Sequence, residues 1–112
     1  MKIHPMMVAL ALTAVAAARA AAQEPDGKAL YNDNCRKCHG VVGRPPKAML
    51  AKFPKIYTFD AKFVAARSDD SVVKVLTNGK NEDMVSFKDK LKPDEMRAIA
   101  KYLRVLAAMP HP

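Results

Sequence analysis

Cysteine is scarce in this chain: there are two among 112 residues. That leaves one structural disulfide as the most the chain could form, and excludes the multi-bridge framework of small stapled folds. A zinc site built from cysteine and histidine lacks ligands as well, because beyond the N-terminal prefix only His39 and His111 could join the two thiols. Period-two alternation of apolar and polar residues is missing, which removes strands and the βαβ setting of a thioredoxin-type redox pair. No internal repeat is present, so a solenoid is excluded. The lysines are scattered and no nucleic-acid recognition motif accompanies them, which argues against binding DNA or RNA. The one extended apolar run, Met6 to Ala18, falls short of the roughly 20 residues that span a bilayer.

What is present begins with that run. Lys2 and His4 precede it and small residues follow through Ala22, the pattern of a positive n-region, an h-region and an A-x-A-like end. Residues 1–22 are therefore expected to be a cleaved signal peptide, with the cut after Ala22 or Ala20 and a retained membrane anchor as the alternative. The prefix holds no cysteine, so a lipidated N-terminal cysteine is excluded. Residues 23–112 make one small domain. Loss of Lys2 and Arg19 lowers the formal charge from +8 to +6, a balance that favours an acidic partner surface. A chain of this size buries only about 60% of its unfolded surface and needs a staple.

Both cysteines lie in one run, Cys35-Arg36-Lys37-Cys38-His39. The C-x-x-C-H spacing suits covalent haem attachment. On one helical turn, Cys35 and Cys38 stand three apart with His39 adjacent, so two sulfurs and an imidazole rise on one side. Thioether bonds to both cysteines would hold haem c by its edge, and His39 would reach the iron as axial ligand. One covalent haem would also supply the missing staple.

The remaining pattern is helical. Pro25-Asp26-Gly27 starts a first helix, read from about Asp26 to Lys37, which Gly40 and Gly43 stop. Residues 47–63 carry Met49, Leu50, Phe53, Ile56, Tyr57, Phe59 and Phe63, interrupted by Pro54, and suit short helical turns around a buried object. Ser68 caps a helix with Asp69 and Asp70 in its first turn and Asn78-Gly79 at its end. Pro93 sits at the first position of a last helix, with Leu91 and Met96 forming a hydrophobic staple. Met96, Ile99, Ala100, Leu103, Leu106 and Ala107 make its inward stripe. The fold class is all-α, with three to five helices wrapped around one haem.

A second axial ligand could come from Met49, Met84, Met96, Met109 or His111. Met96 belongs to the core stripe, Met109 and His111 lie in a tail near Pro110, and Met49 follows closely behind the attachment site. Met84 lies in a loop between two helices, where it could be draped over the far haem face; the plain alternative is a methionine filling a gap. A thioether there favours reduced iron.

These motifs together resemble the small monohaem class I c-type cytochromes. Gly27 and Tyr31 before Cys35 match the family's first helix, whose glycine permits a close crossing by the last helix; Tyr102 and Leu103 match that last helix. Leu76-Thr77-Asn78-Gly79-Lys80 with Met84 and Phe87 is similar to the ligand segment, and Leu91-Lys92-Pro93-Asp94-Glu95 to the start of the last helix. Val85 departs from the proline many relatives carry there, and Lys92 from the usual Ser or Thr cap. The resemblance implies a small cytochrome c fold and a soluble carrier of single electrons, no enzyme in the usual sense and expected to be a monomer; the prefix adds the expectation that it is periplasmic or otherwise exported. Cys35 and Cys38 would hold the haem, with His39 and Met84 on its iron. It also implies a backbone carbonyl near a proline, Pro45 or Pro46, as acceptor for the second ring nitrogen of His39. Redox protein partners would dock near the haem edge, where Lys37, Lys80, Lys88 and Lys90 are expected, with Glu82 and Asp83 interrupting them. An open-faced haem protein (peroxidase or small-ligand sensor) and a haem subunit of a larger oxidoreductase are the alternatives.

Overall fold

The computed structural model describes residues 24–110. The expected signal peptide and His111 lie outside the described residues. Six helical segments are present among them: α1 (Gly27–Asn34), α2 (Arg36–His39), α3 (Lys47–Lys52), α4 (Ala61–Ala65), α5 (Asp69–Asn78) and α6 (Pro93–Ala108). The described residues contain no strand, as the lack of alternation predicts. The segments outnumber the three to five expected because short turns stand apart. The first helix is also divided at Cys35, whose φ of −122° leaves the helical range.

Side chains on the starting residues fix where the helices begin. Asp26, Asp60 and Ser68 each accept a hydrogen bond from a first-turn amide, from Ala29, Phe63 and Ser71 respectively. Pro46 precedes α3, and Phe53-Pro54 ends it. At the start of α6 only half a capping box forms. The Lys92 amide donates to Glu95 Oε1 at 2.9 Å, while the Lys92 ammonium has no acceptor to offer in return. Leu91 and Met96 are both buried at that start, as the staple requires.

The longest helix organises the domain. α1, α4 and α5 all pack against α6, whose Met96, Ile99, Ala100, Leu103 and Leu106 are buried. Burying each of the larger side chains contributes about 1.5–3 kcal/mol. Tyr31, Phe59, Phe63 and Leu76 complete the core. Gly27 makes the α1–α6 crossing possible: a Cβ there would stand 2.3 Å from the Ala98 carbonyl oxygen. Met109 is not the free tail residue expected from Pro110, since it packs against the core.

Candidate functional site

A cavity of about 720 Å³ opens between the loops and the core. Cys35, Cys38 and His39 contribute to its lining from the α1–α2 turn. Met84, Val85 and Phe87 do so from the loop after α5, and Leu76, Ile99 and Leu103 from α5 and α6. The four residues singled out in the sequence, 49 positions apart at their extremes, thus face one space.

The α1–α2 junction sets up the first three. The Cys35 amide donates to Tyr31 O at 2.8 Å, and the His39 amide to Cys35 O at 2.9 Å, so one turn carries both thiols and the imidazole. Tyr31 buttresses this turn from below, its hydroxyl donating to Gly40 O at 2.7 Å. His39 Nδ1 lies 3.2 Å from Tyr57 O, and its ring stacks on Phe59 at 4.5 Å with 22° between planes. Burial lowers the imidazole pKa and keeps the ring neutral. With Nδ1 donating to the carbonyl, Nε2 carries the lone pair a metal needs. The carbonyl belongs to Tyr57, not to the Pro45–Pro46 segment expected from the resemblance. Pro54 is the proline that matters, because it ends α3 and turns residues 55–57 back toward His39.

Neither cysteine is in a disulfide. Burial, and then the neighbouring Cys38, pushes the Cys35 thiol up to about 12. A reactive dithiol pair has its nucleophile shifted the other way, so Cys35 does not match that pattern. No group of three or more histidine, cysteine or acidic side chains capable of holding a metal ion occurs among the described residues.

The methionines separate clearly. Met84 is half-buried against the core and lines the cavity. Met96 is buried in the core, where Thr77 Oγ1 lies 3.3 Å from its sulfur. Met49, on α3, does not line the cavity. Of the four lysines expected at the haem edge, Lys80 lines the cavity; Lys52, Lys55 and Arg67, which sequence reasoning missed, line it too. Arg67 stacks on Tyr57 and Phe63 at 4.5 and 4.4 Å, and Lys80 Nζ sits 3.8 Å from the Tyr57 ring and donates to its hydroxyl. These contacts, Lys80 foremost, lower the Tyr57 hydroxyl pKa. Their signal in the sequence is the aromatic run at 57, 59 and 63, which offers faces for cations.

An apolar cavity this large in so small a domain forfeits packing unless something fills it. Two free thiols, a neutral imidazole and a thioether on its lining fit an apolar disc held covalently and by iron, namely haem c. Comparisons with known proteins agree. A family model described as "Cytochrome C oxidase, cbb3-type, subunit III" matches residues 22–103. Cytochrome c6 from Nostoc sp. (strain PCC 7120) is 27% identical over 96 residues, covering 86% of this chain and 82% of that protein. The solved structure of the KustC0563 c-type cytochrome superposes with a TM-score of 0.64 at 35% identity, over 72% of this chain and 96% of that one. A tyrosine-to-phenylalanine mutant of that cytochrome gives 0.63 at 34% identity, over 72% and 98%. With a cavity suited to haem c and these relatives, the chain belongs to the family so described and is a small class I c-type cytochrome, an electron carrier with covalently bound haem c.

Proposed function

We propose that this protein is an exported, periplasmic electron carrier whose haem c is attached through Cys35 and Cys38 and ligated by His39 and Met84. One observation carries the reading: a single cavity gathers the paired thiols, the neutral imidazole and the half-buried thioether. Bound haem c supplies one-electron chemistry, its iron alternating between ferric and ferrous. The chain's residues do the rest. Tyr57 O and the Phe59 ring hold the His39 imidazole in orientation, so little reorganisation accompanies a change of charge. Leu76, Ile99 and Leu103 keep water from the cavity floor. The Met84 thioether favours the reduced state and raises the potential.

With His39 and Met84 both committed, no site remains for a substrate, and the protein is a carrier rather than an enzyme. Export rests on the prefix 1–22, and no helix among the described residues is long and apolar enough to cross a membrane. Lys52, Lys55, Arg67 and Lys80, opposed by Asp83, make the cavity rim basic. That rim and a formal charge of +6 after export suit a redox partner with an acidic face.

The test is a redox titration with visible spectroscopy on haem-loaded protein. Met84→Ala should lower the potential, abolish the long-wavelength ferric band that reports iron–sulfur bonding, and admit added imidazole. Met49→Leu should leave all three unchanged. The reverse pattern would overturn the ligand assignment, and a wild type without the sulfur band would favour an open iron face.

A further inference from the structure

Besides the packing of its side chain against the core, Met84 is held by hydrogen bonds to its backbone alone. Met84 N–H donates to Asn81 Oδ1 at 2.8 Å, and Asp83 N–H donates to the same oxygen at 3.0 Å. A carboxamide oxygen has two acceptor sites, and here both are used. The Met84 carbonyl in turn accepts from the Lys80 amide at 2.8 Å and the Asn81 amide at 3.4 Å. Met84 is therefore clasped at both ends of its own backbone, while its thioether stays uncommitted and lines the cavity.

The clasp is fastened to the helix before it. Gly79 has a φ of 72°, and a Cβ there would stand 2.7 Å from the Ser86 amide nitrogen and 3.1 Å from Met84 O. The loop thus returns directly over the end of α5. Downstream, the Phe87 amide donates to Leu76 O at 2.8 Å and Ser86 Oγ to Thr77 O at 2.5 Å. Within this frame Asn81 supplies the side-chain acceptor that closes residues 81–84.

A methionine side chain turns about three flexible bonds and does little to fix its own sulfur. Where that sulfur can reach depends on where the backbone holds the Met84 Cα. We propose that Asn81 is a positioning residue for Met84: its carboxamide oxygen holds the ligand loop closed and so sets how readily the thioether gives way to an external ligand. This rests on the reading of Met84 as an iron ligand. Asn81 is exposed, so its replacement empties no core space.

The experiment titrates imidazole into the ferric, haem-loaded full chain and follows the iron–sulfur band. An external ligand binds only when the loop has opened, so its apparent affinity reports the open fraction. Asn81→Ala removes the acceptor from two amides and should tighten apparent imidazole binding about three- to tenfold. Asn81→Asp keeps the Oδ1 acceptor and should bind within about twofold of wild type. An Asn81→Ala variant that melts earlier but binds imidazole as wild type does would overturn the proposal, leaving Asn81 as ordinary turn stabilisation. Equal effects of Asn81→Ala and Asn81→Asp would overturn it as well. Met84→Leu separates the underlying reading. If the sulfur band survives that change, the ligand assignment fails before Asn81 is in question. If the band is lost there, the Asn81 pair decides the proposal alone.

Discussion

Replacing Gly27 by alanine should lower the melting temperature of the haem-loaded protein by about 5–15 °C. The added Cβ would lie 2.3 Å from Ala98 O, 2.9 Å from the Ala98 carbonyl carbon and 3.2 Å from Tyr102 Cβ. The first two are backbone atoms and the third is rigidly attached to backbone, so none can swing aside. A carbon–oxygen contact needs about 3.3 Å or more, so α1 and α6 must part by roughly 1 Å. Forced overpacking of this kind costs about 1–3 kcal/mol. Alanine recovers at most about 1 kcal/mol through its better helix propensity. The net loss is therefore centred near about 1 kcal/mol and reaches about 2, and each kcal/mol shifts the midpoint of a domain this size by about 4–8 °C. Thermal melting followed by far-ultraviolet circular dichroism measures it. Because α1 runs directly into Cys35, the visible spectrum should also shift as the thiol-bearing turn moves with the helix. An unchanged or raised melting temperature would refute the close crossing, and with it the role of α6 in positioning the thiol-bearing turn.

Cys35→Ala with Cys38→Ala should yield a chain without covalent haem and with most of its helicity lost, since so small a core then lacks its filling; a compact, fully helical product by circular dichroism would contradict this. Tyr31→Phe leaves Gly40 O without its buried donor and should cost about 1–3 kcal/mol in denaturant melts at neutral pH. Burial raises the Tyr31 pKa above its ordinary 10.0. Its contribution is therefore complete below pH 10 and is lost as pH rises further, so wild type should destabilise more steeply than Tyr31→Phe in alkaline melts. Reversing Lys52 and Lys55 to glutamate should slow electron transfer to the native partner at low salt. The two proteins should converge at high salt, where exposed charges are screened over a few ångströms; rates insensitive to both changes would point to an apolar docking rim instead.

Local chemistry was legible in the chain as written. Asp26, Ser68, Gly79 and Pro93 act on the residues beside them, through caps, a positive φ and a missing amide, and each bounds a helix where its type predicts. The stripe from Met96 to Leu106 follows from a period of 3.6 and needs no partner to be read. The C-x-x-C-H run implies haem because its three groups lie within one turn. The break at Cys35 was not legible, because nothing in the local sequence demands it.

Tertiary structure alone decided what the distant residues do. That Tyr57 rather than Pro45 or Pro46 supplies the carbonyl at His39 depends on how residues 53–57 fold back after Pro54, across eighteen positions of chain. Arg67, which the sequence reading missed, lies over the Phe63 ring four residues before it, but its contact with Tyr57 ten residues away, and that of Lys80 with the same ring, form only on folding. Met109, consigned by its position to a loose end, is retained by a core it meets only after folding. Propensity and spacing act over a few bonds, and these the sequence determines by itself. Which carbonyl faces His39 depends on how residues 53–57 fold back and how the helices pack around α6, a long-range arrangement that no local pattern encodes.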